Sequence, residues 1–122
     1  KLCVVTDAMR AAGKAPGTYS LGDLEIIVED GIALLPDRSV FAGSVCTMDT
    51  CLKTLTELGG MSLESALRAA TMDPARIIGV DDRKGSLHVG KDADIVILDQ
   101  ELRVTQTLIR GKSFHDSDSD PP

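Results

Sequence analysis

Apolar residues follow two different periods along the chain. Residues 24–29 and 32–35 are rich in β-branched side chains and flank Asp30-Gly31, a pair that tolerates the positive φ angles of a type I′ turn. From residue 45 onward, apolar side chains recur at steps of three or four, as on one stripe of a helix: Val45, Met48, Leu52, Leu55 and Leu58. The pattern predicts a β-hairpin followed by a helical region.

Capping residues set the expected limits of the helices. Ser44 can cap the first helix and Gly59-Gly60 can end it. Ser62 predicts the start of a second helix, which would bury Leu63, Ala66, Leu67 and Ala70. Asp73-Pro74 predicts a short third helix up to Gly79.

The remaining segments predict strands, a loop and a tail. Residues 2–6 form a continuous apolar run closed by Asp7, a pattern typical of a strand buried on both faces of a parallel sheet. Residues 9–21 contain Gly and Pro breakers and predict a loop. Three short strands are expected at 87–89, 93–98 and 104–109. Residues 115–122 are polar and acidic and predict a disordered tail.

Charge and composition exclude several classes of protein. The 122 residues carry a formal net charge of -6 and no Trp, which disfavours binding to a phosphate backbone or stacking on nucleic-acid bases. Nucleic acid is therefore not an expected partner. No apolar run approaches the ~18 residues that cross a bilayer, so a membrane is not an expected partner either. The expected location is cytoplasmic. Cys3, Cys46 and Cys51 are odd in number and lack zinc-knuckle spacing, which favours reduced core thiols.

Asp7 is the strongest candidate for chemistry. An acidic residue at the carboxyl end of a barrel strand faces the end of the fold where catalytic residues gather. The alternative is that Asp7 only stabilises the following turn with its side chain. Residue pattern alone leaves both interpretations open.

Several motifs then resemble those of N-acetylglucosamine-6-phosphate deacetylases, within the amidohydrolase superfamily. The resemblance covers residues 2–112, and its more specific parts lie at the predicted strand end and around the hairpin. The segment 85–94 is shared widely across amidohydrolases. The matching motifs are Val4-Val5-Thr6-Asp7-Ala8-Met9, Leu21-Gly22, Asp30-Gly31, Ala42-Gly43-Ser44, Glu64-Ser65-Ala66-Leu67-Arg68-Ala69-Ala70-Thr71, Pro74-Ala75-Arg76, Gly79, and Gly85-Ser86-Leu87-His88-Val89-Gly90-Lys91-Asp92-Ala93-Asp94.

The resemblance implies an α/β fold class, namely the C-terminal part of an amidohydrolase (β/α)8 barrel plus strands of the small β-sandwich domain. Residues 1–79 would end the barrel and include a hairpin insertion at 24–35. Residues 80–114 would supply β-sandwich strands, and residues 115–122 would form the tail. A complete barrel takes about 250 residues, so the chain is expected to be an incomplete and catalytically inactive segment by itself.

The resemblance also implies a reaction, which is hydrolysis of the N-acetyl group of N-acetylglucosamine 6-phosphate. Asp7 would be the general base and then the general acid, while a divalent metal, zinc or iron, in the full-length parent would activate water. Phe41, Ala42 and Gly43 match the segment where the family contacts its substrate, although the family commonly has Leu at the position of Phe41. The alternative for these three residues is a tight turn before a helix.

Other charged residues are not assigned to the site. Arg10, Lys14 and Arg38 are candidate phosphate ligands, but solvated loop charges are the preferred interpretation. His88 and His115 lack a partner at ligand spacing, so no metal ligand is expected in this chain.

Two further hypotheses stay open. The chain could be a non-catalytic, self-associating module, since an orphan strand exposes unpaired backbone groups. It could also belong to an amidohydrolase that acts on another amide. A homo-oligomer binding a small amino-sugar phosphate is the expected assembly.

Overall fold

The computed structural model describes residues 2–116, with backbone only for the last two. The elements are β1 (Gly17–Leu21), β2 (Leu24–Glu29), β3 (Ile32–Leu34), α1 (Met48–Glu57), α2 (Leu63–Ala70), α3 (Met72–Ile77), β4 (Ile95–Leu98), β5 (Val104–Ile109) and β6 (Lys112–Asp116). The strands form two antiparallel sheets, ordered β1-β2-β3 and β4-β5-β6. The fold class is therefore α/β in content, as expected.

Contacts divide the described chain into two compact units. Val5–Cys51 forms one unit, and the described residues before and after it form the other. This division is not at residue 79. The assignment of 1–79 to a barrel and 80–114 to a sandwich stays a prediction.

The hairpin sheet carries the core of the Val5–Cys51 unit. Asp30 and Gly31 have φ angles of +50° and +75°, as the type I′ turn requires, so β2 and β3 pair where predicted. Alternation along β2 places Ile26 and Val28 on one face. They pack with Ala11 and Ala33 in a small apolar cluster, and Ile26 is fully buried.

One strand of this sheet was not predicted. Gly and Pro breakers between residues 9 and 21 favoured a loop, yet Gly17–Leu21 pairs with β2 along its length. Thr18 and Tyr19 favour pleated backbone, and Gly22, with φ of +59°, begins the two-residue turn to β2. The loop prediction is therefore confirmed for residues 9–16 and wrong for Gly17–Leu21, where a pairing partner overrode the breakers.

The predicted opening strand is absent. Residues 2–6 belong to no ladder, and the Val5 side chain is 74% exposed. Within this stretch, the backbone N–H of Val4 donates to the carbonyl oxygen of Ala69 at 3.0 Å. A parallel strand exists only with a parallel neighbour, and both sheets among residues 2–116 are antiparallel.

Helix α1 starts later than predicted. Ser44 does not cap it, because the Ser44 hydroxyl accepts from the N–H of Cys46 at 2.9 Å. The first helical bond instead joins the Cys51 N–H to the Thr47 carbonyl at 3.0 Å. The predicted end holds, since α1 stops before Gly59 and Gly60.

The other two helices begin as expected. The Ser62 hydroxyl accepts from the N–H of Ser65 at 3.3 Å and caps α2. In the short α3, Pro74 lies in the first turn, where its missing N–H costs no hydrogen bond. Asp73 is buried, and its Oδ1 accepts from Arg68 Nε at 3.3 Å.

The C-terminal sheet corrects two further predictions. Residues 87–89 form no strand, and their Leu87 and Val89 side chains are exposed. The strands at Ile95–Leu98 and Val104–Ile109 are present, and β6 adds a third. Residues 115 and 116 lie in β6 and not in a tail. The rest of the predicted tail, 117–122, lies outside the described residues.

Candidate functional site

The backbone at Asp7 adopts an uncommon conformation. Its φ is +49°, a left-handed value that Asp tolerates better than most residues. The side chain is exposed, and its carboxylate has no hydrogen bond or ion pair with the other described residues. The Ala8 N–H donates to Thr6 Oγ1 at 3.3 Å. Thr6 therefore supplies the acceptor for the backbone N–H of this turn, and the Asp7 carboxylate stays available. This geometry disfavours the interpretation of Asp7 as only a turn stabiliser.

A parallel bridge joins the residue after Asp7 to the residue after the predicted substrate segment. Ala8 and Ser44 form an isolated parallel bridge, and the Met9 N–H donates to the Ser44 carbonyl at 2.8 Å. Asp7 and Gly43 directly precede the two bridged residues, and both have left-handed φ angles, so the extended pairing does not continue to them. The bridge thus joins two segments that lie 36 positions apart in the sequence.

The predicted substrate segment, Phe41-Ala42-Gly43, is fixed by its backbone. The Ala42 N–H donates to the Ala33 carbonyl at 2.8 Å, and Phe41 forms an isolated bridge with Leu34. Gly43 has φ of +91°, a conformation that disfavours any side chain. The Phe41 side chain is 73% exposed and the Ala42 methyl packs against the hairpin core.

Sequence reasoning missed Thr6, Met9 and Ser44 as residues that shape this site. Thr6 frees the carboxylate, and Ser44 supplies the carbonyl of the bridge. A methyl group built on Gly43 would meet the Met9 side chain at 3.6–3.8 Å, so Met9 packs beside this glycine. Thr6, Met9 and Ser44 all lie inside the quoted motifs, and these motifs were the available signal.

The three cations considered as phosphate ligands contact other parts of the Val5–Cys51 unit. Arg38 makes two bonds to the Glu29 carboxylate, at 2.8 and 3.0 Å, and this pairing lowers the pKa of Glu29. Arg10 Nη1 donates to the Ser20 hydroxyl at 3.1 Å, and Lys14 Nζ lies 5.8 Å from the Tyr19 ring centroid. Arg10 and Lys14 border an open pocket beside β1 and β2. Because Arg38 is paired with the Glu29 carboxylate, its interpretation as a loop charge is preferred over that of a phosphate ligand.

No metal centre is formed by residues 2–116. Within that range, no three His, Cys, Asp or Glu side chains lie close enough to hold an ion. The exposed His88 has Nδ1 3.2 Å from the Ser86 hydroxyl, and the His115 side chain lies outside the described part. The described residues therefore do not fit a resident metal ion.

Two further features are the burial of the cysteines and the length of the helices. All three cysteines are free and half-buried, so the predicted position in the core is wrong. No helix in the described part is both long and apolar enough to cross a membrane.

Comparison with known families identifies the class of protein that this α/β fold belongs to. Residues 2–114 match the amidohydrolase family. The chain belongs to this enzyme family, as its motifs predicted.

Individual relatives of this chain within the family are deacetylases of amino-sugar phosphates. The chain is 40% identical over 111 residues to the N-acetylglucosamine-6-phosphate deacetylase of Danio rerio, covering 91% of this chain and 28% of that protein. It is 37% identical over 112 residues to a putative N-acetylgalactosamine-6-phosphate deacetylase of Escherichia coli K12, covering 92% of this chain and 66% of the relative. The crystal structure of the Pasteurella multocida N-acetylglucosamine-6-phosphate deacetylase superposes with a TM-score of 0.89 at 31% identity, covering 95% of this chain and 30% of that one. The chain therefore spans under a third of the length of the Danio rerio relative and the Pasteurella multocida structure.

Proposed function

We propose that this chain supplies the acid/base carboxylate and part of the substrate pocket of a deacetylase that acts on an N-acetylated amino-sugar 6-phosphate. The observation that carries the proposal is the Ala8–Ser44 bridge, which joins the segment of Asp7 to the segment of Gly43. The printed names of the relatives supply the substrate class. N-acetylglucosamine 6-phosphate is the favoured epimer, since the Danio rerio relative has the higher identity.

The proposed role of Asp7 is to move one proton twice. Its carboxylate accepts a proton from the water that attacks the acetamide carbonyl, and the protonated Asp7 then donates to the departing amine. Solvent exposure and the absence of an internal partner among the described residues support this role, because a carboxylate held in an ion pair could not accept the proton. Acetate and the free amine are the products.

Gly43 would allow a sugar ring to approach the backbone. Its left-handed φ of +91° disfavours any side chain, and a methyl group built there would meet the Met9 side chain. The exposed Phe41 ring, two residues earlier, would cover an apolar face of the substrate, while Ala42 anchors the segment to the hairpin. These roles for Phe41, Ala42 and Gly43 rest on the bridge that joins their segment to the segment of Asp7.

The proposed setting is a larger barrel enzyme. Residues 2–6 would become its last strand once parallel neighbours are present, and β4 to β6 would join the small β-sandwich. Because the described residues do not fit a metal site, we assign no step to a metal. The family resemblance implies zinc or iron, and its ligands would have to come from other parts of the enzyme. The chain alone is proposed to be inactive.

The proposed partners and location follow from surface properties. The substrate is the only small-molecule partner, and the net charge of -6 disfavours nucleic acid. Exposed apolar side chains such as Val5 and Leu87 support association with further protein surface, including a second copy in a homo-oligomer. The same exposure favours the alternative of a self-associating, non-catalytic module. The three free thiols support the cytoplasm as the location.

A pair of substitutions in the full-length protein that contains this chain tests the proposal. Asp7→Asn should lower the rate of acetate release from N-acetylglucosamine 6-phosphate by about 100-fold or more, since Asn cannot accept the proton. Asp30→Asn is the matched control, because Asp30 is also exposed and has nearly the same φ, +50° against +49°. It should leave turnover unchanged.

Three outcomes would contradict the proposal. Equal turnover for the wild type and Asp7→Asn would remove Asp7 from the chemistry. Activity on an unrelated amide, with none on either epimer of the sugar phosphate, would support the alternative amidohydrolase. Full activity of the 122-residue chain by itself would contradict the need for further segments.

A further inference from the structure

Two cysteine thiols touch at the start of α1. Cys46 precedes the helix by two residues and Cys51 lies in its first turn, and their Sγ atoms are 3.4 Å apart. Both thiols are free and half-buried. A disulfide joins its sulfurs at about 2.05 Å, so an approach of about 1.4 Å would bond them. The third cysteine, Cys3, has its Sγ 3.9 Å from the carbonyl oxygen of Val4.

We propose that Cys46 and Cys51 form a reversible thiol–disulfide site that low-molecular-weight disulfides oxidise. One thiolate attacks the reagent disulfide, forms a mixed disulfide and releases one reagent thiol. The second cysteine then attacks the protein sulfur of the mixed disulfide and releases the second reagent thiol. Two electrons pass from the cysteines to the reagent, and the two cysteine protons end on its thiols.

The local backbone holds the two thiols in place. The Cys46 N–H donates to the Ser44 hydroxyl at 2.9 Å, and the Cys51 N–H donates to the Thr47 carbonyl at 3.0 Å. These bonds lie on both sides of the sulfur contact and fix the segment before α1 against its first turn. Little backbone rearrangement is therefore needed to close the bond.

The environment of Cys51 sets the order of attack. Burial, followed by the contact with Cys46, raises the pKa of the Cys51 thiol to about 11. Cys51 therefore stays protonated at neutral pH, and a protonated thiol is a poor nucleophile. Cys46 meets the reagent first, and Cys51 resolves the mixed disulfide.

Disulfide mapping of the intact chain tests the site. The 122-residue chain is incubated with ~0.1 mM oxidised glutathione, quenched with acid, alkylated under denaturing conditions and mapped by mass spectrometry. A short linker gives an effective concentration on the order of mM. The Cys46–Cys51 disulfide should therefore exceed the glutathione adduct of Cys3 about tenfold, and dithiothreitol should reverse it.

Two variants serve as controls. Cys3→Ser should keep the Cys46–Cys51 disulfide, whereas Cys51→Ser should leave Cys46 as a persistent glutathione adduct. Similar adducts at all three cysteines, a disulfide that includes Cys3, or no oxidation at all would overturn the proposal. Should Cys51→Ser fail to fold, the map of the wild type and of Cys3→Ser still decides the question.

Discussion

Gly85 offers a direct test of the packing around the short helix α3. A methyl group at this position would lie 2.9 Å from the Ala75 Cβ, 3.0 Å from the Met72 Cα and 3.0 Å from the Thr71 carbonyl oxygen. None of these atoms can move by rotating a side chain. Gly85→Ala therefore forces the segment away from α3 or shifts the helix itself.

The expected cost has two parts. The φ of +84° is a left-handed value that costs alanine about 1–2 kcal/mol, and overpacking adds about 1–3 kcal/mol. Gly90→Ala isolates the first part, because Gly90 has φ of +93° and no atom within 4 Å of an added methyl group. Gly85→Ala should thus destabilise the chain by about 1–3 kcal/mol more than Gly90→Ala.

Urea unfolding followed by circular dichroism measures the difference, since the chain lacks Trp. With a slope of about 1–3 kcal/mol per M, the two variants should differ in midpoint by roughly 1 M. Equal midpoints at an unchanged slope would refute the reasoning. They would mean that the contact between Gly85 and α3 is looser than described.

Two ion pairs give further predictions. Arg68→Met should destabilise the chain by about 1–3 kcal/mol in urea, because it leaves the buried Asp73 carboxylate without its partner; Lys53→Met, which breaks only an exposed pair, should cost less than about 1 kcal/mol. The hydrogen bond from Lys84 is the main reason that the pKa of Asp94 is lowered, so Lys84→Gln should raise that pKa toward its ordinary value in an NMR titration. A carboxyl with a lowered pKa stabilises the fold at neutral pH, and this contribution is lost as the pH falls through the folded-state pKa. Lys84→Gln should therefore lose less stability than the wild type on acidification. An unchanged Asp94 titration, or equal urea midpoints for the two methionine variants, would contradict these expectations.

Local chemistry explains which elements were predictable. The Asp30-Gly31 turn and the Ser62 cap each depend on a few neighbouring residues, and both formed as predicted. Strand β1 depends on a partner elsewhere in the chain, because the pairing of Tyr19 with Ile26 overrode the local breakers. Helix α1 starts late because the Ser44 hydroxyl accepts from the Cys46 N–H and does not cap the helix.

The candidate site divides in the same way. The motif around Asp7 identified the carboxylate, and the motif at Gly43 identified the loop. Neither motif could reveal that Thr6 satisfies the turn or that Ser44 joins the two segments, because both facts depend on backbone hydrogen bonds. The assignment of Leu2 and its neighbours to a strand failed for lack of parallel partners.

The sheet β4-β5-β6 bears on the natural history of the chain. Within the described residues, β4 is an edge strand with exposed Val96 and Ile97 side chains. Such an edge pairs readily with copies of itself, and proteins commonly protect it with lysine or proline. If these residues evolved as an independent protein, selection would favour a charged substitution on β4. Val96 and Ile97 would be retained wherever neighbouring protein covers the edge.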